Sequence, residues 1–346
     1  MYIKNVLEQN KNIYISYWLL LITILVSLII VVGGLTRLTD SGLSITKWDL
    51  FSGIVPPLNY DQWDKFFTLY KGIPEFKILN SSMTLSEFKV IFWWEYAHRL
   101  LGRIIGIFYL LPLLYFTFTK KIEKKTLPVF YLILILIILQ GFIGWYMVQS
   151  GLVEKTDVSH YRLSVHLTLA FIIFILLLWS FLNLSKTIKV DKLKKIPYFL
   201  PSIFLFLVLI QISFGALVSG LDAGQIYNTW PLMNQSYFPD DAKFITLLST
   251  EMFETPSILQ FIHRNIAYGI FLFFLLIFFI ARKLDSYNYL KNAINLVFLS
   301  LLLQIFLGIL AVLYNAHIVI ASLHQIGSII LITSVIILIF KNSKIS

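Results

Sequence analysis

Six histidines are the residues of this sequence best suited to hold a metal ion or to move a proton. Four of them stand near the heads of long apolar stretches: His98, His166, His263 and His324. A histidine is neutral near pH 7, and it offers one ring nitrogen to a metal while the other donates a hydrogen bond. Side chains on facing helices of a bundle commonly build cofactor sites. The pattern therefore predicts histidine-ligated sites among helices, whereas we expect His160 and His317 to be loop or interface residues.

A carboxylate accompanies only one of these histidines. Glu95 stands three residues before His98 in WWEYAHRLLGR, and the matching segment LQFIHRNIAYG has Gln260 at that place. Residues three apart share a helix face. A carboxylate beside a reacting group can take a proton or stabilise developing positive charge. The alternative is a charge at a helix N-terminus that satisfies backbone donors.

The apolar stretches predict an all-α integral membrane protein. The chain is 58% hydrophobic and 13% charged, with a mean hydropathy of +0.81, which excludes an ordinary soluble globular protein. The apolar runs have the length that a bilayer needs and lack the alternation of a barrel strand. The eight predicted transmembrane helices are 15–36, 96–119, 127–149, 163–184, 198–219, 259–281, 292–314 and 317–340.

Basic residues predict the orientation of these helices. One set of short connections, together with the two ends of the chain, holds more than half of the 28 Lys and Arg residues. By the positive-inside rule these segments are cytoplasmic. We therefore expect a multi-pass protein of the bacterial inner membrane, and the net charge of +10 reflects topology and lipid contact rather than nucleic-acid binding. The predicted cytoplasmic parts are 1–14, 185–196 and 341–346.

The sequence also repeats itself. GGLTRLTDSGLSITKW (33–48) overlays GALVSGLDAGQIYNTW (215–230), and three short pairs follow in the same order: EYAHR with QFIHR, LQGFIG with LQIFLG, and VHL with LHQ. This predicts two tandem four-helix halves, 15–184 and 197–340. Four helices leave each half in the same orientation, so a pseudo-twofold axis along the membrane normal should relate them.

The long outer loop 37–94 is predicted to contain helices. Four aromatic residues recur at helical spacing and form one apolar face: Trp63, Phe66, Phe67 and Tyr70. Asn59 or Asp61 can cap this helix. Thr84 and Glu87 have the spacing of a capping box, so the next helix should run directly into the second span.

The residues favour haem over a bare metal ion. Zinc would want further protein ligands beside each histidine pair, and the chain has no cysteine. Two axial nitrogens suit haem, whose porphyrin supplies the other four ligands. Arginines near the histidines can pair with haem propionates, or can simply extend to the membrane surface. These candidates are Arg37, Arg99, Arg103 and Arg264.

Taken together, the motifs resemble the haem A synthase family. The resemblance extends from about residue 17 to 340, and the motifs that carry it are GGLTRLTDSGLS, PPL, EYAHR, VHL, NTWPLM, QFIHR and LHQ. The chain is similar to the cysteine-free kind found in mitochondria and alphaproteobacteria. The resemblance implies oxidation of the C8 methyl of haem O to a formyl group, which makes haem A for cytochrome oxidase. It implies a haem b held by His263 and His324, substrate haem between His98 and His166, and a required carboxylate at Glu95.

The expected partners are haem O, membrane lipid, a haem O synthase and a quinol or other electron donor, and a homo-oligomer is compatible with the sequence. A different class stays open on the residues alone: a dihaem b-type cytochrome that relays electrons from quinol without altering its haem. The Glu95/Gln260 difference disfavours it, because a symmetric relay has no use for a single carboxylate. The presence or absence of haem A in extracted pigment distinguishes the two classes.

Overall fold

A computed structural model describes residues 13–48, 52–152, 156–184 and 193–345. The predicted cytoplasmic segments therefore fall partly outside the described residues, namely at 1–12, 185–192 and 346. Helices and short turns make up the described part, apart from an isolated β-bridge between Met233 and Ser236. Eight of its helices are long and apolar enough to cross a membrane, which confirms the predicted all-α membrane fold.

The membrane helices lie close to their predicted positions. Two shorter helices, α2 and α3, lie in the long loop between α1 and α4. In chain order the helices are α1 (Ile13–Leu38), α2 (Tyr60–Lys71), α3 (Pro74–Ile78), α4 (Leu85–Phe118), α5 (Leu127–Gln149), α6 (His160–Asn183), α7 (Phe199–Gly220), α8 (Pro256–Arg282), α9 (Tyr287–Leu313) and α10 (Ile318–Ser343).

The start of α4 differs most from the predicted span. It begins at Leu85 because Thr84 and Glu87 form the expected capping box: the Thr84 backbone N–H donates to Glu87 Oε2 at 2.8 Å, and the Glu87 N–H donates to Thr84 Oγ1 at 3.4 Å. At 34 residues, α4 is about 50 Å long, well beyond the roughly 30 Å of a bilayer core. The helix is therefore longer than a bilayer core requires, and Glu95 and His98 lie in its first half.

Residues 22–173 form one compact unit. Its loop helix α2 is capped by Asn59, whose side chain accepts a hydrogen bond from the Gln62 N–H at 3.0 Å, so the predicted helix and one of its two candidate caps are confirmed. The predicted aromatic face is buried, with Trp63 and Phe67 packed on Phe88 and Phe92 of α4. Each such side chain stabilises the packing by about 1.5–3 kcal/mol.

The second compact unit combines residues 13–21 with 174–345. Its core contains Phe204 of α7 and Phe274 of α8, whose ring centroids are 5.5 Å apart. Near the end of α10, buried Asn342 exchanges two hydrogen bonds with the backbone of Ile196, at 2.8 and 3.0 Å. This unit holds α7 to α10, the helices of the predicted second half. The axis proposed to relate the halves stays a prediction.

Candidate functional site

In the unit 22–173, two histidines each lie against a glycine of a neighbouring helix. Gly33 of α1 faces His98 of α4, and Gly144 of α5 faces His166 of α6. A Cβ atom added to either glycine would lie 3.0 Å from an imidazole atom. Because protein interiors are close-packed, each imidazole ring fits in its position only if the facing residue has no side chain.

The second unit repeats this arrangement. A Cβ on Gly215 of α7 would lie 3.1 Å from the ring of His263, and one on Gly308 of α9 would lie 3.0 Å from the ring of His324. Sequence reasoning aligned these glycines with those of the first half but assigned them no role. Their signal was that glycine recurs at the same aligned position in both halves, once in each of the two aligned motifs.

The two histidines of the first unit are spaced for a shared ion. The ring centroids of His98 and His166 are 6.4 Å apart. Two imidazoles bonded to one ion at about 2.0 Å each have ring centres roughly 6 Å apart. His263 and His324 of the second unit are electrostatic neighbours. The structure thus brings together the members of both predicted histidine pairs.

These histidines fit a haem. The Nδ1 atoms of His166, His263 and His324 are buried without a hydrogen-bond partner, although buried polar atoms are normally paired. Across the described ranges, His, Cys, Asp and Glu side chains form no cluster of three or more that would hold a bare metal ion. A ligand that brings its own in-plane donors, as a porphyrin does, needs only the axial pair that each unit offers.

Glu95 is held by three donors. Its Oε2 accepts hydrogen bonds from Ser44 Oγ at 2.6 Å and from the Ile45 N–H at 2.7 Å, and its Oε1 accepts one from Arg99 Nη2 at 2.6 Å. The side chain is buried, with 2% of the residue exposed. Three donors converging on two oxygens suit a carboxylate, which only accepts. Glu95 therefore ties the segment after α1 to α4, one turn before His98.

Gln260 occupies the matching place with the opposite polarity. Its Nε2 donates to the carbonyl oxygens of Ala223 at 2.9 Å and Ile226 at 2.7 Å, while its Oε1 accepts from Arg264 Nη2 at 3.1 Å. Gln260 is as buried as Glu95, at 2% exposed. The loop thus presents donors to the carboxylate in one half and acceptors to the amide in the other.

Two of the predicted arginines hold these loops. Arg99 donates to the carbonyl oxygens of Ile45 at 2.8 Å and Lys47 at 3.1 Å. In the same way Arg264 donates to the carbonyl oxygens of Tyr227 at 2.7 Å and Thr229 at 2.9 Å. In the sequence overlay, Ile45 aligns with Tyr227 and Lys47 aligns with Thr229. Each guanidinium therefore fixes a loop beside its histidine, a role that sequence reasoning did not assign.

The other predicted residues lie on, or directly before, helices that carry the histidines or the facing glycines. Arg37, at the end of α1, forms an ion pair with Asp40 at 2.7 Å. Arg103 lies one turn after Arg99 on α4, and its Nη1 is buried. Contacts of these arginines with propionates stay a prediction. His160 is the buried first residue of α6, and exposed His317 directly precedes α10.

A second buried carboxyl lies in the outer loop of the first unit. Glu75 of α3 is 4% exposed, and its Oε1 accepts a hydrogen bond from the Tyr70 hydroxyl at 3.2 Å while its Oε2 has no partner. Burial raises the pKa of Glu75 to about 8, and the carboxylates of Asp157, Glu95 and Asp40 add to this shift. Sequence reasoning did not identify this group, since a single glutamate in a loop is ordinarily exposed.

Comparison with known proteins matches the sequence of this chain to a family. Residues 16–336 match the sequence model of COX15-CtaA, a cytochrome oxidase assembly protein. A Heme A synthase of Pelagibacter ubique (strain HTCC1062) is 49% identical over 338 residues, which cover 97% of this chain and 99% of that relative. A Heme A synthase of Rhizobium etli is 43% identical over 93% of this chain and 88% of its own length. One from Rickettsia bellii is 41% identical over 95% and 97%.

Proposed function

The chain belongs to the COX15-CtaA family of cytochrome oxidase assembly proteins, and on this premise we propose that it oxidises the C8 methyl of haem O to the formyl group of haem A. The observation that carries the proposal is Glu95, a carboxylate one turn before His98 where the matching site in the second half has Gln260. A protein that only bound haem would have no use for this difference. The activity is that of an oxidoreductase embedded in the membrane.

The two halves divide the work. We assign the substrate haem to His98 and His166, because this pair lies beside Glu95 and its rings are spaced for one iron. We assign a resident haem b to His263 and His324, where the matching position is the uncharged Gln260. A haem b in that position supplies one-electron transfer. The glycines that face the four rings make the space that each axial imidazole needs.

Conversion of the methyl group to a formyl group removes four electrons from the carbon. With water as the source of oxygen, R–CH₃ and H₂O give R–CHO, four protons and four electrons. A quinone or another electron acceptor of the membrane must then take these electrons by way of the second half. If dioxygen supplies the oxygen atom, R–CH₃ and O₂ can give R–CHO and H₂O without outside electrons. Two successive monooxygenations, each of which also forms one water, would instead need four electrons from a donor such as a quinol. Each of these routes requires proton transfer close to the porphyrin edge.

Glu95 is the group of this chain placed to manage that charge. Its carboxylate is buried, hydrogen-bonded and fixed by Arg99, so it is oriented before substrate arrives. It can accept a proton as the methyl carbon is oxidised, or stabilise positive charge that develops there. Gln260 can do neither in the same way, since an amide carries no charge and takes no proton.

The protein is a multi-pass membrane protein, and we further propose the bacterial inner membrane with both chain ends in the cytoplasm. The basic short connections support this orientation. It places Glu95 and all four histidines toward the outer side. The proposed partners are a haem O synthase, which would deliver substrate within the bilayer, and a quinol or other redox partner.

Co-expression tests the function. The full chain is produced beside a haem O synthase in a host that makes no haem A, and the extracted porphyrins are separated by chromatography. We expect a haem A peak that is absent when the chain is omitted. In the contrary result, the chain binds haem and forms no haem A even though haem O is abundant in the cells. That result would instead favour an electron-carrying cytochrome.

A further inference from the structure

Three glutamines lie one helical turn before the glycines that face the histidines. On α5, Gln140 precedes Gly144 by four residues. On α7 and α9 the same spacing separates Gln211 from Gly215 and Gln304 from Gly308; each glutamine therefore shares a helix face with its glycine.

The glutamine amides contact the histidines themselves. Gln211 Nε2 donates to the His263 carbonyl oxygen at 2.9 Å and lies 3.3 Å from the ring Nε2. Gln304 Nε2 lies 3.4 Å from the Nε2 of His324. Gln140 Nε2 donates to the His166 carbonyl oxygen at 3.0 Å. Each amide is thus within reach of the residue that would bind iron.

Unpaired atoms occur in matching sets at these three sites. The Oε1 atoms of Gln140, Gln211 and Gln304 are buried without a partner. So are the Nδ1 atoms of the three histidines that they contact. A metal-bound histidine normally donates its other ring N–H to an oxygen, and this bond fixes the ring orientation. Here no amide oxygen reaches an Nδ1, which leaves Nδ1 open to iron. Each glutamine instead holds its histidine through its own Nε2, at the backbone carbonyl oxygen or beside the ring Nε2.

The fourth site departs from this pattern. On α1, the residue four positions before Gly33 is Ile29, which the sequence overlay pairs with Gln211. The Ile29 Cδ1 packs 3.6 Å from where a Cβ on Gly102 would lie, one turn after His98. An isoleucine side chain neither donates nor accepts a hydrogen bond. His98 therefore lacks the amide that accompanies each of the other three histidines.

We propose that Gln140, Gln211 and Gln304 are positioning residues that fix three axial histidines, and that His98 is the axial ligand of the substrate haem that exchanges. The inference deepens the proposed function and rests on its assignment of haem to the four histidines. A resident electron carrier needs two lasting axial bonds, and both second-half histidines have a glutamine. A substrate porphyrin must enter, react and leave, so one of its axial bonds has to break. We place this weaker bond at His98, which lies on the same helix as Glu95.

Reciprocal substitutions test this inference. Ile29→Gln gives His98 the amide of the second half, and Gln211→Ile removes it from His263; Ile29→Leu is the size-matched control. Each full-length protein is purified with haem bound at both sites, reduced, and titrated with carbon monoxide, which binds iron only where an axial ligand leaves. Haem content and the low-spin spectrum before titration show whether each variant is folded and loaded.

The wild type should bind carbon monoxide at one of its two haems. Ile29→Gln should weaken this binding by about 10-fold or more, the usual effect of a partner that orients a metal ligand. Ile29→Leu should match the wild type, and Gln211→Ile should make the second haem bind carbon monoxide. Equal affinity in wild type and Ile29→Gln would overturn the inference. So would a Gln211→Ile protein whose second haem stays closed, a readout that survives if Ile29→Gln fails to fold.

The carbon monoxide titration and the co-expression experiment can distinguish failure of this inference from failure of the proposed function. Carbon monoxide binding is read on loaded protein whether or not haem A is made, whereas co-expression reads only haem A. Haem A production with indistinguishable axial ligands would contradict the inference alone. The expected carbon monoxide pattern without haem A would contradict the proposed function alone.

Discussion

Glu95 Oε1 accepts a hydrogen bond from Arg99 Nη2 at 2.6 Å, one helical turn further along α4. The matching pair in the second half, Gln260 and Arg264, makes the same contact at 3.1 Å without an ion pair. Both arginines also hold the adjacent loop by its carbonyl oxygens. The two sites therefore share these arginine contacts and differ in the charge placed one turn before the histidine.

Gln260→Glu should disable the second half rather than give it a catalytic carboxylate. Gln260 donates to two carbonyl oxygens, at 2.9 and 2.7 Å. A carboxylate there would face two acceptors and leave them unpaired, at a cost of about 1–3 kcal/mol for each buried group. We expect a lower content of haem b, measured by the pyridine haemochrome spectrum of the purified protein.

Gln260→Met is the matched comparison, since it removes the same two hydrogen bonds without adding charge. Greater loss of haem in Gln260→Glu than in Gln260→Met would assign the excess to the misplaced charge. Full haem b content in Gln260→Glu would contradict the polarity argument.

Alanine at the facing glycines should displace the axial histidines. In Gly144→Ala the new Cβ would lie 3.0 Å from the His166 ring, and in Gly215→Ala 3.1 Å from the His263 ring. Overpacking of this kind costs about 1–3 kcal/mol, so we expect haem at the affected site to bind roughly 10-fold or more weakly. Haem content after titration with haem provides the measurement.

Two other glycines provide controls, one on the helix of Gly144 and one on the helix of His263. A Cβ on Gly141 of α5 or on Gly269 of α8 would meet no atom within 4 Å. Gly141→Ala and Gly269→Ala should therefore keep normal haem content. If these controls lost as much haem as Gly144→Ala and Gly215→Ala, the loss would come from the helices in general and not from the imidazole sites.

Replacement of the second-half histidines should remove the resident haem. The wild type is expected to show a low-spin b-type spectrum, because two imidazoles complete the coordination of iron. His263→Leu or His324→Leu should lose most of that signal and reduce haem A output. An unchanged spectrum in the double variant would place the resident haem elsewhere.

The outer loop should become less stable as the pH rises toward 8. The pKa of Glu75 is raised from 4.5 to about 8 in the folded protein, mainly by burial. Between these values the folded state binds more protons than the unfolded state, so stability falls as the pH increases and levels off above about 8. Thermal unfolding of the detergent-purified protein at a series of pH values measures the effect.

Glu75→Gln isolates this contribution, since the amide keeps the size of the side chain and cannot titrate. The difference in melting temperature between wild type and Glu75→Gln should change steadily from pH 5 to pH 8 in favour of the variant. A difference independent of pH would show that Glu75 titrates as an ordinary exposed carboxyl.

Much of the fold followed from local chemistry. Hydropathy located the eight membrane helices because a bilayer permits few alternatives to a long apolar helix. The capping box at Thr84 and the aromatic spacing after Tyr60 are short-range signals, and both elements formed as predicted. Hydropathy alone identified only the apolar part of α4, and the capping box correctly predicted that the helix begins at Leu85 and runs into that span.

The histidine ligands of the site could be predicted from the sequence, but the hydrogen bonds that hold the surrounding loops could not. The repeat identified four histidines and the Glu95/Gln260 difference, because these are changes of residue type at matched positions. The acceptor carbonyls held by Arg99 and Arg264 have no sequence signature, since every residue has a carbonyl group. The burial of Glu75, a residue of α3, depends on how α3 packs in the folded loop, and local sequence patterns do not encode this packing.

The central claim is that Glu95 makes one half the catalytic half. Glu95→Gln keeps the size of the side chain but removes its charge and turns a donor group toward Ser44, Ile45 or Arg99. Ser44→Ala removes one of the donors at 2.6 Å and keeps the carboxylate, so it reports the loop attachment alone.

Haem A per haem b, measured by chromatography of extracted pigment from cells that also make haem O, tests the claim most directly. We predict that Glu95→Gln retains haem b and accumulates haem O or a partly oxidised product. Its ratio should fall by about 10²–10⁴-fold, as for loss of a positioned acid–base group, whereas Ser44→Ala should fall far less. A wild-type ratio in Glu95→Gln, or an equal fall in both variants, would contradict a catalytic role for Glu95.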